Sequence, residues 1–126
     1  MQDILKKIIL TPYYSQIFIQ IPGRKDYPQF EGGEKYVINK GCIVVATTPD
    51  HLGDVTIEIH STFMKAPRDA IFLATFYLEK YVPKIEIGEV TASEGKYANV
   101  PLGCKGFDIY INRIENPDYI TLIPKF

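Results

Sequence analysis

The sequence predicts an all-β domain: an antiparallel two-sheet sandwich of about seven to nine short strands with at most one short helix. Three observations carry this. Apolar and polar side chains alternate with a period of two in several segments, the spacing that puts one face of a strand in a core and the other in water. Turn signals such as Pro22-Gly23, Gly32-Gly33, Pro49-Asp50, Leu52-Gly53, Ser93-Glu94-Gly95 and Asn116-Pro117-Asp118 punctuate the chain at short intervals. At 126 residues with 46% hydrophobic residues, residues 1–126 suffice for one domain with its own core.

Taken in order, Ile8 to Leu10 reads as a short opening strand. Tyr13 to Ile21 is the clearest alternation, with Ile17, Ile19 and Ile21 on one face, Gln16 and Gln20 on the other, and Pro22-Gly23 as its stop. Glu34 to Lys40, closed by Gly41, suggests one or two helical turns with a glycine C-cap. Cys42 to Thr48 is β-branched and continuous, as in a strand covered on both faces. Asp54 to His60 buries Val55, Ile57 and Ile59 and presents Thr56, Glu58 and His60. Ala70 to Glu79 is apolar throughout; its aromatics and Thr75 favour a core strand over a buried helix. Lys84 to Val90 and Gly106 to Ile114 alternate again, and Tyr119 to Ile123 closes the sheet, with Pro124 as its end. Pro22 to Gly33 is the longest connection without a strand, with Tyr27 and Phe30 embedded in it.

Composition narrows the function. Fourteen Lys and Arg against fifteen Asp and Glu give a net charge of −1, so a nucleic-acid partner is not expected, since phosphate binders carry a basic excess. There is no apolar run of membrane-spanning length, and the apolar stretch after Lys6-Lys7 is too short for a signal-peptide core; the expected setting is the cytoplasm. Cys42 and Cys104 lack metal-site spacing and read as small buried hydrophobes, with a cross-strand disulfide as the alternative. No cofactor or metal site is expected.

Nor does the sequence present a catalytic motif: there is no nucleophile elbow, phosphate-binding glycine loop or HExxH. His60 reads as a solvated residue on a strand's polar face. His51, in Thr48-Pro49-Asp50-His51-Leu52-Gly53-Asp54, reads as part of a turn; paired with Asp50 or Asp54 it would be an acid–base group. The candidate partner-binding residues are therefore surface acids and aromatics. Glu58, Glu86 and Glu89 lie on outer strand faces and would meet a basic partner. Tyr14, Phe18 and Tyr110 fall on nominally polar faces, and Tyr27 lies in the long loop; exposed, they would anchor a partner, and covered, they are core.

From Tyr14 to Ile111 the order of features resembles the ComJ-type family of small bacterial competence nuclease inhibitors. The matching features begin with an opening strand (Tyr14 to Ile21) and a loop with a short turn ending in Lys40-Gly41. Val55-Thr56-Ile57-Glu58-Ile59, an apolar strand at Phe72 to Leu78, Ile85-Glu86-Ile87-Gly88-Glu89 and the Gly-led Gly106-Phe107-Asp108-Ile109-Tyr110-Ile111 follow. The family's aromatic before the turn falls near Phe30, where this chain has Phe in place of Trp. The resemblance implies a non-enzymatic inhibitor or immunity-type role, with a nuclease or toxin as partner. A small-molecule or carbohydrate-binding sandwich, with a pocket lined by Tyr14, Phe18, Tyr27 or Tyr110, is the alternative. A small enzyme using His51 with Asp50 or Asp54 is the third. Open strands at the sheet margins also allow a homodimer.

Overall fold

A computed structural model describes residues 4–23, 27–62, 65–91 and 95–126, with side chains from Lys6 onward. Ten strands are described: β1 (Ile4–Leu10), β2 (Gln16–Gln20), β3 (Tyr36–Asn39), β4 (Cys42–Ala46), β5 (Val55–His60), β6 (Ile71–Tyr77), β7 (Lys84–Gly88), β8 (Lys96–Asn99), β9 (Gly106–Ile111) and β10 (Tyr119–Lys125). They form two five-stranded sheets, ordered β1-β5-β10-β9-β6 and β3-β4-β2-β7-β8. The predicted all-β sandwich is the observed fold, and Ala70 to Glu79 does hold a strand. Among the described residues no helix is long and apolar enough to cross a membrane.

The period-two pattern explains the main core. Ile17 and Ile19 of β2, Ile43 and Val45 of β4, and Ile85 and Ile87 of β7 meet Val55, Ile57 and Ile59 of β5, Phe107, Ile109 and Ile111 of β9, and Ile120 and Leu122 of β10. All are buried, and each fully buried side chain of this size contributes about 1.5–3 kcal/mol through removal of apolar surface from water. At one side of the sandwich the edges of β1 and β8 are stitched by lysines: Lys6 Nζ donates to the Tyr97 carbonyl at 2.7 Å and Lys96 Nζ to the Ile9 carbonyl at 3.4 Å. At the other side, β6 ends its sheet.

Four local expectations are corrected. Glu34 to Lys40 is not helical: Tyr36–Asn39 pairs with Cys42–Val45 across a Lys40-Gly41 turn. Gly41 has φ 88, a conformation open to glycine, so it closes a hairpin instead of capping a helix. Tyr13 to Ser15 form a tight 3-10 turn, and the strand begins only at Gln16. Pro124 lies inside β10, opposite Phe107, beyond the last residue of β10 that pairs with β5, Leu122; a missing N–H is tolerated where one neighbour has ended. The pairing is not antiparallel throughout, because β10 runs parallel to β5. β10 is accordingly buried on both faces from Ile120 to Pro124, as parallel strands are.

Candidate functional surface

The two outer faces of the sandwich differ, and the difference decides which predicted residues reach solvent. On the β3-β4-β2-β7-β8 sheet, Phe18, Cys42 and Val44 point outward but are buried beneath Tyr27 and Phe30, with Val37 and Val90 alongside. The Phe18 and Tyr27 rings stack with centroids 5.0 Å apart. The long connection therefore carries a cover for a second small core. Its return to β3 is fixed by Glu34, whose carboxylate accepts from the Glu31 and Gly32 backbone N–H groups at 3.1 and 2.6 Å. Those bonds hold the Glu34 carboxyl below its ordinary pKa.

Three candidates are lost from the partner surface on this side. Phe18 is core. Tyr27 is its half-buried cover, with a phenol pushed up by burial and then by the Glu86 charge. Glu86 is buried at 6% exposure; it accepts from Gln20 Nε2 at 2.9 Å and from the Gly95 N–H at 2.8 Å, so it ties the residue before β8 to β7. The alternating strand positions of Phe18 and Glu86 were as expected, but the connection carrying Tyr27 and Phe30 covers the face that Phe18 points to. Glu89 is half-buried and caps a turn by accepting from the Thr91 N–H and hydroxyl.

The outer face of the other sheet is open at its two margins, where Lys7 and Ile9 of β1 and Phe72 and Tyr77 of β6 are exposed. Across all five strands the register aligns Lys7, Glu58, Thr121, Tyr110 and Phe72 in one row, about 19 Å long at the usual strand spacing. Glu58 is its polar hub. Tyr119 donates its hydroxyl to Oε1 at 2.9 Å, His60 lies with Nε2 3.0 Å from Oε2, and Lys7 Nζ stands 3.9 Å from Oε1. A carboxylate only accepts, so the Glu58 contact places the imidazole proton on Nε2. Burial, followed by the bond to Glu58, pushes the Tyr119 phenol up.

His60 is thus a correction: it is 2% exposed, not solvated. It lies two residues after Glu58 on the same strand face, a spacing that the sequence displays. Thr121 and Ile123 on this face are buried too. Pro67 to Ala70, from the β5–β6 connection, lie over the sheet and form a cleft of about 420 Å³ with Glu58, Asn112, Tyr119 and Thr121.

At the β6 margin the face becomes aromatic. Phe72 is 54% exposed and packs edge-on against Tyr110, with centroids 5.7 Å apart; Tyr77, further along β6, is also exposed. Thr75 donates to Asp108 at 2.6 Å between them. Sequence reasoning placed Tyr110 on this face and missed Phe72, Tyr119 and Lys7 as its neighbours, because the cross-strand pairing that aligns them is a tertiary property. Tyr14 is exposed elsewhere, at one end of the sandwich, so Tyr14, Phe18, Tyr27 and Tyr110 do not line one pocket.

His51 is exposed in a 3-10 turn (Asp50–Leu52) and bonds to neither Asp50 nor Asp54; Asp54 accepts instead from the Thr11 hydroxyl at 3.1 Å. Neither cysteine is in a disulfide, and both are buried. Cys42 lies in the second core and Cys104 beside the main one, where burial raises the Cys104 thiol pKa. Among the described residues no cluster of three His, Cys, Asp or Glu is placed to hold a metal ion.

No protein-family model matches this chain, and no curated protein sequence does. Among solved structures, the crystal structure of ComJ from Bacillus subtilis, described as the inhibitor of the DNA degrading activity of NucA, superposes with a TM-score of 0.62. The alignment covers 99% of each chain at 14% sequence identity. The chain is therefore similar to ComJ in fold from end to end, as the order of its strands and turns suggested.

Proposed function

We propose that this chain is a non-catalytic protein-binding domain of the inhibitor or immunity type, which masks a nuclease or toxin in the cytoplasm. The observation that carries this reading is the β6 margin of the outer sheet face, where exposed Phe72 packs on half-buried Tyr110 beside Asp108 and in one row with Glu58. Exposed aromatics on a rigid strand supply contact area at low entropic cost. Carboxylates around them steer a basic partner into place. Inhibition of this kind is steric: the sandwich covers the cleft through which the partner reaches its substrate. The end-to-end fold shared with ComJ, a protein described as a nuclease inhibitor, supports the reading, and two buried thiols outside any disulfide fit a reducing compartment.

The test is inhibition. The purified chain is titrated into DNA-degradation assays of nucleases from its own host and of Bacillus subtilis NucA. Loss of one enzyme's activity near one equivalent, with a co-eluting complex, is the expected result. Undiminished activity of every enzyme at molar excess, with no protein recovered stoichiometrically from the host, overturns it. The cleft beside Glu58 favours a second reading, a small polar ligand held by Glu58, Asn112 and Tyr119. Chemical-shift changes confined to those residues on titration with simple sugars would support it.

A further inference from the structure

One end of the sandwich differs from the rest in its backbone. The strand register brings residues 11–15, 47–54, 67–70 and 112–118 to the same end: Leu10 pairs with Val55, Gln16 with Ala46, and Ile111 with both Ile120 and Ile71. Every non-glycine residue with positive φ among the described residues lies there: Tyr14 (φ 61), Ser15 (φ 58), Asp69 (φ 66) and Asn116 (φ 51). Asp and Asn tolerate the left-handed region through local hydrogen bonds, whereas a bulky tyrosine is a genuine outlier in it. Two such residues in succession need outside support. It comes from backbone bonds of Ser15 N–H to the Pro12 carbonyl at 2.9 Å and of Thr47 N–H to the Ser15 carbonyl at 2.8 Å.

The strain has a visible consequence: Tyr14 is held 76% exposed, with Tyr13 47% exposed beside it and Leu52 63% exposed on the adjoining 3-10 turn. None of these side chains gains much burial, so the arrangement does little for the fold. The neighbouring connections are pinned. Asn112 donates to Asp118 at 2.8 Å and accepts from the Asp118 and Tyr119 N–H groups, and Thr48 N–H reaches the Pro117 carbonyl at 3.0 Å. A strained, pre-organised turn that presents an aromatic to water is the form of a binding anchor. The charge around it is acidic in balance: Asp50, Asp54, Asp69, Glu115 and Asp118 stand against Arg68 and Arg113 in these connections. Lys35 pairs with Glu115 at 2.9 Å and Arg113 with Asp118 at 3.3 Å, but Asp50, Asp54 and Asp69 stay outside these ion pairs.

We propose that this loop end is a second docking surface of the chain, in addition to the outer sheet face around Phe72, and that its occupant is a protein with an apolar socket for Tyr14 and Leu52 rimmed by lysine and arginine. The inference rests on the protein-masking reading and adds to it a second contact surface and the chemistry that receives it. Tyr14 is the anchor, Leu52 widens the apolar contact, and the surrounding carboxylates set orientation and association rate.

The experiment places a photo-reactive benzoylphenylalanine in the full chain at position 14, at 72 on the outer sheet face, or at 102, an exposed leucine in the β8–β9 connection. Cross-linking is done in host extract, and the adduct protein is purified for titration with the unsubstituted chain and with Tyr14→Gly. A single basic protein attached at 14 and not at 102 is expected. Its Kd should weaken about tenfold or more in Tyr14→Gly, and in the unsubstituted chain when salt rises from about 50 to about 300 mM. Tyr14→Gly should unfold at the same temperature or higher, because glycine accepts the left-handed turn without strain; a merely structural tyrosine would lower it. Attachment at 72 but not 14 overturns this inference and leaves the protein-masking reading standing. Attachment at 14 only to a second copy of the chain, or equal affinity of Tyr14→Gly for the partner, also overturns it. No adduct at 14 or 72 removes both.

Discussion

Replacing Phe18 by alanine removes the ring that fills the second core, between β2 and the covering loop. Phe18 is buried, stacked 5.0 Å from Tyr27, and in contact with Cys42 and Val44 in the same cluster. The site has little room to collapse, since a Cβ built on Gly88 would already lie 2.8 Å from Phe18 Cζ and the opposite residue has no side chain to move in. Phe→Ala at such a position costs about 3–5 kcal/mol, a large share of the roughly 5–15 kcal/mol that holds a domain together. With a urea slope of about 1.5–2 kcal/mol/M for a chain of this size, the midpoint should fall by roughly 2 M. The Tyr27 phenol, now raised by burial, should at the same time titrate closer to its ordinary value near 10. Urea unfolding followed by circular dichroism, with phenolate absorbance titration, measures both. A loss under about 1 kcal/mol with an unmoved Tyr27 titration would refute the buried-cover account. It would return Phe18 to the partner surface.

Three further perturbations test the packing and the polar row. Gly106→Ala should cost about 1–3 kcal/mol, because its Cβ would fall 2.5 Å from the Phe76 carbonyl oxygen, and backbone cannot swing aside; thermal unfolding reads this. Glu58→Ala leaves the buried His60 and the Tyr119 hydroxyl without their acceptor, costing roughly 2–3 kcal/mol, against about 1 kcal/mol for Tyr119→Phe. Equal losses in a double-mutant cycle with no coupling would contradict the hub. Tyr27, Tyr119 and the Cys104 thiol all have pKa values raised by folding. The folded state therefore holds these protons more tightly, and their contribution is full at neutral pH. It is lost as pH climbs through the alkaline range above about 9, where the unfolded chain ionises first. Urea midpoints that rise from pH 8 to 11 would be the wrong sign.

The strands were legible wherever alternation ran for five residues or more, because burial of one face leaves a period-two imprint that no other element mimics. β5 and β9 matched closely for that reason. β3 was misread because Val37 and Ile38 are too few to show a period, and a closing glycine serves a helix cap and a hairpin turn alike. β8, Lys96–Asn99, went unseen: Lys-Tyr-Ala-Asn has no β-branched residue, and its strand form comes from pairing with β7. The surface was harder to read than the core. Alternation told correctly that Phe18 and Glu86 point away from the main core, but whether a face meets water depends on what the loops do. The connection carrying Tyr27 and Phe30 covers one sheet, while the parallel insertion of β10 between β5 and β9 aligns Lys7, Glu58, Tyr110 and Phe72 on the other. Neither the cover nor the insertion has a local signature. Left-handed Tyr14 is likewise invisible in sequence, since nothing about Pro-Tyr-Tyr-Ser announces a positive φ.

The account stands or falls on whether this sandwich silences a protein by covering it. The most direct measurement is the activity of the cross-linked partner, purified and titrated with the intact chain and with Tyr14→Gly. The account predicts a linear fall to no activity at one equivalent of the intact chain, and little inhibition by Tyr14→Gly at the same ratio. A partner that keeps working under excess of the intact chain would contradict it.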